Sequence, residues 1–198
     1  MIMKKMLLIQ VFTLISLIGF SQNIKMTTKN VQSDELSDLL NFEDINYYNI
    51  SFAGDSLIGK DYLIISKEIW NGVITKVDTI MDSSNNKRLD KIASNLFEFK
   101  VWSKKTEDNY LKMKFDFPGV HPRRKYRAID TDDYELRDFG VSLDIKVGKE
   151  FYALAYILPY EKDGWKFYCG VEESGVDIEK WGSHFNIEHY VLFEMLFK

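Results

Sequence analysis

The chain has 198 residues, a formal net charge of −4, 45% apolar residues and 15% aromatics. Three prolines and 11 glycines exclude a low-complexity chain, one cysteine excludes an internal disulfide, and the mild acidity argues against a nucleic-acid partner. The length suits one domain with a substantial core.

Residues 1–21 have the build of a secretory signal peptide. Met1-Ile2-Met3-Lys4-Lys5 is a short basic start. Met6 to Phe20 is an apolar run broken only by Gln10, Thr13 and Ser16, and Gly19-Phe20-Ser21 offers small residues at −3 and −1 for cleavage before Gln22. The run is shorter than the ~20 apolar residues that span a bilayer comfortably. Cleavage removes Lys4 and Lys5 and no acid, moving the net charge from −4 to −6. The Lys-Lys start and the Phe20-Ser21-Gln22 end resemble export signals of Bacteroidetes-type bacteria. That resemblance covers the leader alone. It implies a secreted or periplasmic protein with no membrane span after cleavage.

Residues 22–198 read as a single β-rich domain with one or two short helices. Ser33 is placed to cap a helix through Leu40, with Asp34 and Glu35 in its first turn. Tyr47 to Phe52 is a strand. Asp61 to Trp70 and Val73 to Met81 flank Asn71-Gly72, a hairpin signal. The regular two-residue register sets Lys67 opposite Lys76, an unfavourable pair that points to a sheet edge. Leu89, Ile92, Ala93 and Leu96 have helical spacing. Phe97, Phe99 and Val101 alternate with polar residues, as do Leu111, Met113, Phe115 and Phe117, giving two strands joined by the charged stretch Ser103 to Asn109. Pro118 to Asp138 has no periodicity and reads as a long loop, often a functional feature.

Val141 to Val171 reads as a three-stranded meander and the centre of the fold. Val141, Leu143, Ile145 and Val147 alternate with Ser142, Asp144 and Lys146. Gly148-Lys149 fits a type II′ turn and Asp163-Gly164 a type I′ turn. These turns set Ile145 opposite Tyr152, Leu143 opposite Leu154, Tyr160 opposite Phe167, Glu161 opposite Lys166, Leu158 opposite Cys169 and Tyr156 opposite Val171. Cys169 is then a small buried hydrophobe. Glu172 to Gly182 is acidic and irregular, and Phe185 to Phe197 reads as a closing strand, with a helix as the alternative.

The basic cluster Arg123, Arg124 and Arg127, with His121 and Lys125, has the chemistry to hold an anion through charge-assisted hydrogen bonds. Trp165 beside a turn and Trp181 in a polar stretch are the tryptophans expected at the surface, where they add to a ligand-binding site. Asp130 and Asp132 start an EF-hand pattern that fails at Tyr134 and Val141. Gly175-Val176-Asp177-Ile178-Glu179 resembles the Glu-x-Asp-x-Glu strand of jelly-roll glycoside hydrolases, but Gly175 stands where the nucleophile belongs. His184 and His189 are spaced wrongly for one metal. No metal or cofactor motif is present. The expected fold is all-β, an antiparallel β-sandwich, with a lipocalin-like β-barrel as the alternative, although the early Gly-x-Trp of lipocalins is missing. The expected function is a secreted non-catalytic binding protein for a glycan, another extracellular molecule or a protein partner. A carrier of a small apolar ligand and an unrecognised hydrolase are the alternatives.

Overall fold

A computed structural model describes residues 23–86, 89–168 and 174–198. The elements in chain order are β1 (Lys25–Lys29), α1 (Asp34–Phe42), β2 (Asn46–Ala53), β3 (Tyr62–Trp70), β4 (Val73–Asp82), β5 (Leu96–Thr106), β6 (Tyr110–Asp116), β7 (Arg123–Arg127), β8 (Glu135–Arg137), β9 (Phe151–Ile157), β10 (Tyr160–Lys162), β11 (Trp165–Phe167), α2 (Trp181–Phe185) and β12 (His189–Phe197). One antiparallel sheet runs β1-β2-β5-β6-β7 and a second runs β4-β3-β12-β9-β8. They face each other as a β-sandwich and do not close into a barrel. β10 and β11 form a separate hairpin.

The core lies between the sheets. Period-two alternation puts Phe52, Phe97, Phe99, Phe115 and Phe117 on the inner face of the first sheet, all buried. The second sheet answers with Tyr62, Phe151, Phe193 and Phe197. Rings meet across the gap, Tyr62 with Phe97 at 4.4 Å, Phe52 with Phe197 at 5.2 Å and Phe115 with Phe193 at 5.4 Å between centroids. Each buried phenylalanine contributes roughly 2–3 kcal/mol. Aromatic rings thus fill the space in which a barrel carrier would hold its ligand.

Several local readings hold. Ser33 Oγ accepts the Leu36 N–H at 3.4 Å and caps α1. Asn71 and Gly72 both have positive φ, as a type I′ turn demands, and Trp70 pairs with Val73. β4 is an edge strand, and a bulge between Glu68 and Ile69 removes the lysine clash, so that Glu68 faces Lys76 and Lys67 faces Val77. Gly72 and Gly182 are in backbone contact: a Cβ on Gly72 would sit 2.7 Å from the Ser183 nitrogen. Asp163 and Gly164 also have positive φ, and Tyr160, Glu161 and Lys162 pair with Phe167, Lys166 and Trp165 in the expected register.

Other readings are corrected. Val141 to Val147 is no strand. β8 takes that edge of β9, with Leu136 opposite Tyr156, and β12 takes the other edge, with Val191 opposite Tyr156. Both sides of β9 are therefore filled. Phe139–Ser142 is instead a 3₁₀ turn, and Ile145 bridges to Ile24. Gly140 fixes this path, since a side chain there would collide with the Met26 sulfur and the Ala153 backbone. Tyr156 is paired on both edges, so it has no place for Val171. Val171 and Cys169 lie outside the described residues. Leu89 to Leu96 is no helix: Ile92 is buried and bonds by its backbone to Gly59 and Lys60, and Leu96 opens β5. Ser103 to Thr106 extends β5. Pro118 to Asp138 is not one loop, because it contains β7 and β8, one in each sheet.

Candidate functional site

The first sheet leaves one face toward solvent, and that face is basic. β1 contributes Lys25 and Lys29, β5 contributes Lys100 and Lys104, and β6 contributes Lys112 and Lys114, while the inner-face residues Met26, Phe99, Val101, Met113 and Phe115 are buried. β7 alternates in the same way: Arg123, Lys125 and Arg127 are exposed and Tyr126 is buried. The acids carried by these strands on that face are Glu98 and Asp116. Ser51 donates to Glu98, and His121 contacts Asp116.

Registers fix the rows that cross this face. Tyr47 lies opposite Trp102, Trp102 opposite Lys114, and Lys114 opposite Arg123. Beside that row, Lys104 lies opposite Lys112 and Lys112 opposite Lys125. Like charges directly opposite destabilise a sheet. Lys104 is relieved by Glu43 at 2.9 Å and Lys125 by Asp108 at 3.1 Å. Lys112 makes no ion pair among the described residues. Two aromatics interleave with the bases: the Lys114 ammonium sits 4.7 Å from the Trp102 ring centre and the Lys125 ammonium 3.9 Å from that of Tyr110. Tyr47 packs on Trp102 with centroids 5.2 Å apart. Burial, then the Asp116 charge, raise the Tyr47 pKa and keep its phenol neutral. A groove of about 470 Å³ opens beside this pair, lined also by Lys29, Lys100, Leu36 and Leu40. That volume is in the range of small-molecule sites.

The sequence-predicted residues fall in different places. Arg123 and Arg127 belong to the basic face. Arg124, one position out of phase, turns to the sandwich edge, where Nε donates to Asp78 at 2.7 Å and Nη2 to the Thr79 carbonyl at 2.6 Å. It ties β7 to β4, the edge strands of the two sheets. Trp165 is 72% exposed on the β10–β11 hairpin, away from the two main sheets. Trp181 is corrected: it is 4% exposed, packs edge-on against Phe139 at 4.9 Å and donates Nε1–H to the Val176 carbonyl at 3.0 Å. Ser183 and His184, which follow in the same short helix, are exposed, while Trp181 and Gly182 are buried. The lysines of β1, β5 and β6 and the aromatic Tyr47 were missed, and Trp102 was ranked below Trp165 and Trp181. The signal was the shared parity of these positions: Lys112 and Lys114 two apart on β6, and Lys25 with Lys29 and Lys100 with Lys104 four apart on β1 and β5.

Two polar clusters lie elsewhere. On the outer side of the second sheet, Lys67 Nζ donates to Glu179 at 2.6 Å, Glu194 at 2.8 Å and Tyr152 at 2.8 Å. Burial works against the Lys67 charge, but the hydrogen bonds to Glu179 and Glu194 outweigh it and hold the pKa above the ordinary lysine value. Lys67, then Tyr152, lower the Glu179 pKa. A glycosidase needs one carboxyl protonated near neutrality, and a shared ammonium works against that. The cluster is built to clamp residues 178–180 onto the sheet. At the inner face, the fully buried His189 stacks on Trp70 and its Nδ1 meets the Tyr134 hydroxyl at 2.7 Å. That hydroxyl also accepts the Ile129 N–H at 3.3 Å, and the other ring nitrogen, Nε2, faces Glu68 at 3.7 Å. Glu68 also accepts the Trp70 indole N–H at 3.0 Å. His184 is exposed and apart from His189.

Comparison of the chain with protein-family models, with curated proteins and with solved structures finds no match.

Proposed function

We propose that this is an exported, non-catalytic binding protein that takes an acidic glycan on the outer face of its first sheet. The leader at residues 1–21 supports export. The observation that carries the binding reading is the charge segregation: a chain of net charge −4 presents a sheet face of lysines and arginines with Tyr47, Trp102 and Tyr110 among them. A clustered basic surface attracts a polyanion whatever the net charge. Aromatic π faces beside it accept the C–H face of a sugar ring. The acidity of the whole chain, which argued against a nucleic-acid partner, is carried by other surfaces.

A binding screen of the purified protein against acidic and neutral polysaccharides tests this. Acidic polymers are expected to bind at low ionic strength and to be released as salt rises, because exposed charges are screened beyond ~8 Å at physiological ionic strength. Failure of every acidic polymer to bind at low salt refutes the reading.

A further inference from the structure

We infer that the basic face recognises its ligand in two parts, a sugar ring in the Tyr47–Trp102 groove and anionic groups on the lysine and arginine rows beyond it. This rests on the acidic-glycan reading and narrows it to a class: an oligosaccharide whose uronate, sulfate or phosphate groups lie further along the chain from a ring that stacks.

The order of side chains across the sheet is the basis. The row Tyr47, Trp102, Lys114, Arg123 passes from two aromatics to two cations over adjacent strands. Strands lie ≈ 4.8 Å apart, so Trp102 on β5 and Arg123 on β7 are separated by about 10 Å at the backbone. A single sugar ring on Trp102 leaves that distance unspanned, so the ligand has more than one unit. The parallel row Lys104, Lys112, Lys125 adds three lysines along the same direction. At the aromatic end, the groove of about 470 Å³ adds Leu36 and Leu40 as apolar wall and Lys29 and Lys100 as polar contacts. The two ends therefore differ in chemistry. Charge alone would hold any polyanion in any position. An aromatic groove at one end of a lysine array fixes where the ligand starts and which way it runs.

Lys112 is the residue that argues most strongly for a ligand. It is exposed, faces a lysine on each side, and its side chain makes no ion pair or hydrogen bond among the described residues. Such an arrangement lowers stability. Glu43 and Asp108 already relieve Lys104 and Lys125, and a bound anion supplies the counter-charge that Lys112 between them lacks.

Titration calorimetry on the purified protein separates the two parts. The probes are sulfated, uronate and neutral oligosaccharides of matched length, inorganic polyphosphate, and single-stranded DNA. Trp102→Ala and Tyr47→Ala are expected to weaken the acidic oligosaccharides roughly tenfold, the scale of a truncated aromatic hot spot, and to leave polyphosphate unchanged. Trp102→Phe, which keeps a stacking ring and guards against misfolding, is expected to retain most of the affinity. Lys112→Thr is expected to weaken acidic oligosaccharides and polyphosphate alike, roughly five- to tenfold. Neutral oligosaccharides are expected to bind more weakly than acidic ones. If the aromatic variants bind acidic oligosaccharides normally while Lys112→Thr does not, the two-part inference is wrong and the face is a simple polyanion surface. If Lys112→Thr changes nothing, or no acidic probe binds, the underlying reading fails with it. DNA binding tighter than every oligosaccharide, and dependent on Trp102, overturns the glycan assignment.

Discussion

A single residue of phase decides what each arginine of β7 does. Arg123 and Arg127 point outward with Lys125, while Arg124 points inward to Asp78 and the Thr79 carbonyl. Arg124→Ser is therefore expected to cost about 1–2 kcal/mol, a charge-assisted bond discounted for partial exposure. Arg123→Ser and Arg127→Ser are expected to stay within about ±0.5 kcal/mol. Urea unfolding of the three variants checks this. The inner-face cluster makes a second residue-scale case. His189→Leu removes the Nδ1 partner of the Tyr134 hydroxyl at 2.7 Å, an expected loss of about 1–3 kcal/mol for an orphaned buried group. His189 is the main cause of a Glu68 pKa below the ordinary 4.5, with the Trp70 bond adding to it and burial opposing it. A lowered carboxylate pKa stabilises the fold above the unfolded value and loses that contribution as pH falls through the folded one. Glu68→Gln is accordingly expected to be less stable at neutral pH and to lose less stability on acidification below about pH 4.5, measured by denaturant unfolding across pH. No spacing in the sequence announces this cluster. Glu68, Tyr134 and His189 come from β3, a crossover and β12, and a lone histidine among apolar residues reads as core.

Turn chemistry was the most legible feature at the level of elements. Asn71-Gly72 and Asp163-Gly164 adopt positive φ because these residues tolerate it, and the strand pairs beside each turn follow. Alternation was less safe. Val141 to Val147 alternates cleanly and forms no strand, since alternation shows that a segment fits a sheet edge but not that an edge is free. The bulge at Thr75 in β4 was invisible for a related reason: it puts Glu68 rather than Lys67 opposite Lys76 and lets the Thr75 hydroxyl donate to the Glu68 carbonyl at 3.1 Å, both contacts across strands. Two predictions belong here. Lys67→Met is expected to cost about 2 kcal/mol by leaving Glu179 and Glu194 close together without their shared cation. It should also speed proteolysis or hydrogen exchange within residues 178–180, which that cluster clamps onto the sheet. On the opposite sheet, Lys112→Thr is expected to raise stability by about 0.2–1 kcal/mol, because a β-favouring residue replaces a charge between two like charges. A higher urea midpoint together with weaker anion binding would mark a trade of stability for function. A lower midpoint would show that the lysine stem contributes packing.

Across the whole molecule, charge is sorted rather than mixed. The chain carries more acid than base, yet the solvent face of the first sheet is basic. The protein is expected to be retained on a sulfated-polysaccharide matrix at low salt despite its negative net charge, and to elute earlier when Lys112, Lys125 and Arg127 are replaced together. Passage without retention at low salt would show that the acids around the face neutralise it.

The sequence by itself determined the strand-rich class, the helix cap at Ser33, the two tight turns and the apolar faces of β5 and β6. Each of these depends on interactions within a few residues: a side chain capping its own backbone, a φ value, a period of two. The tertiary structure decided which strands are neighbours, and so everything about the candidate site. The basic face exists because β1, β2, β5, β6 and β7 lie side by side, bringing Lys29, Trp102, Lys112 and Arg123 into one surface from four separate strands. Pairing of distant strands is selected by the burial of a shared core and by which edges remain free. Neither quantity can be read from any one segment.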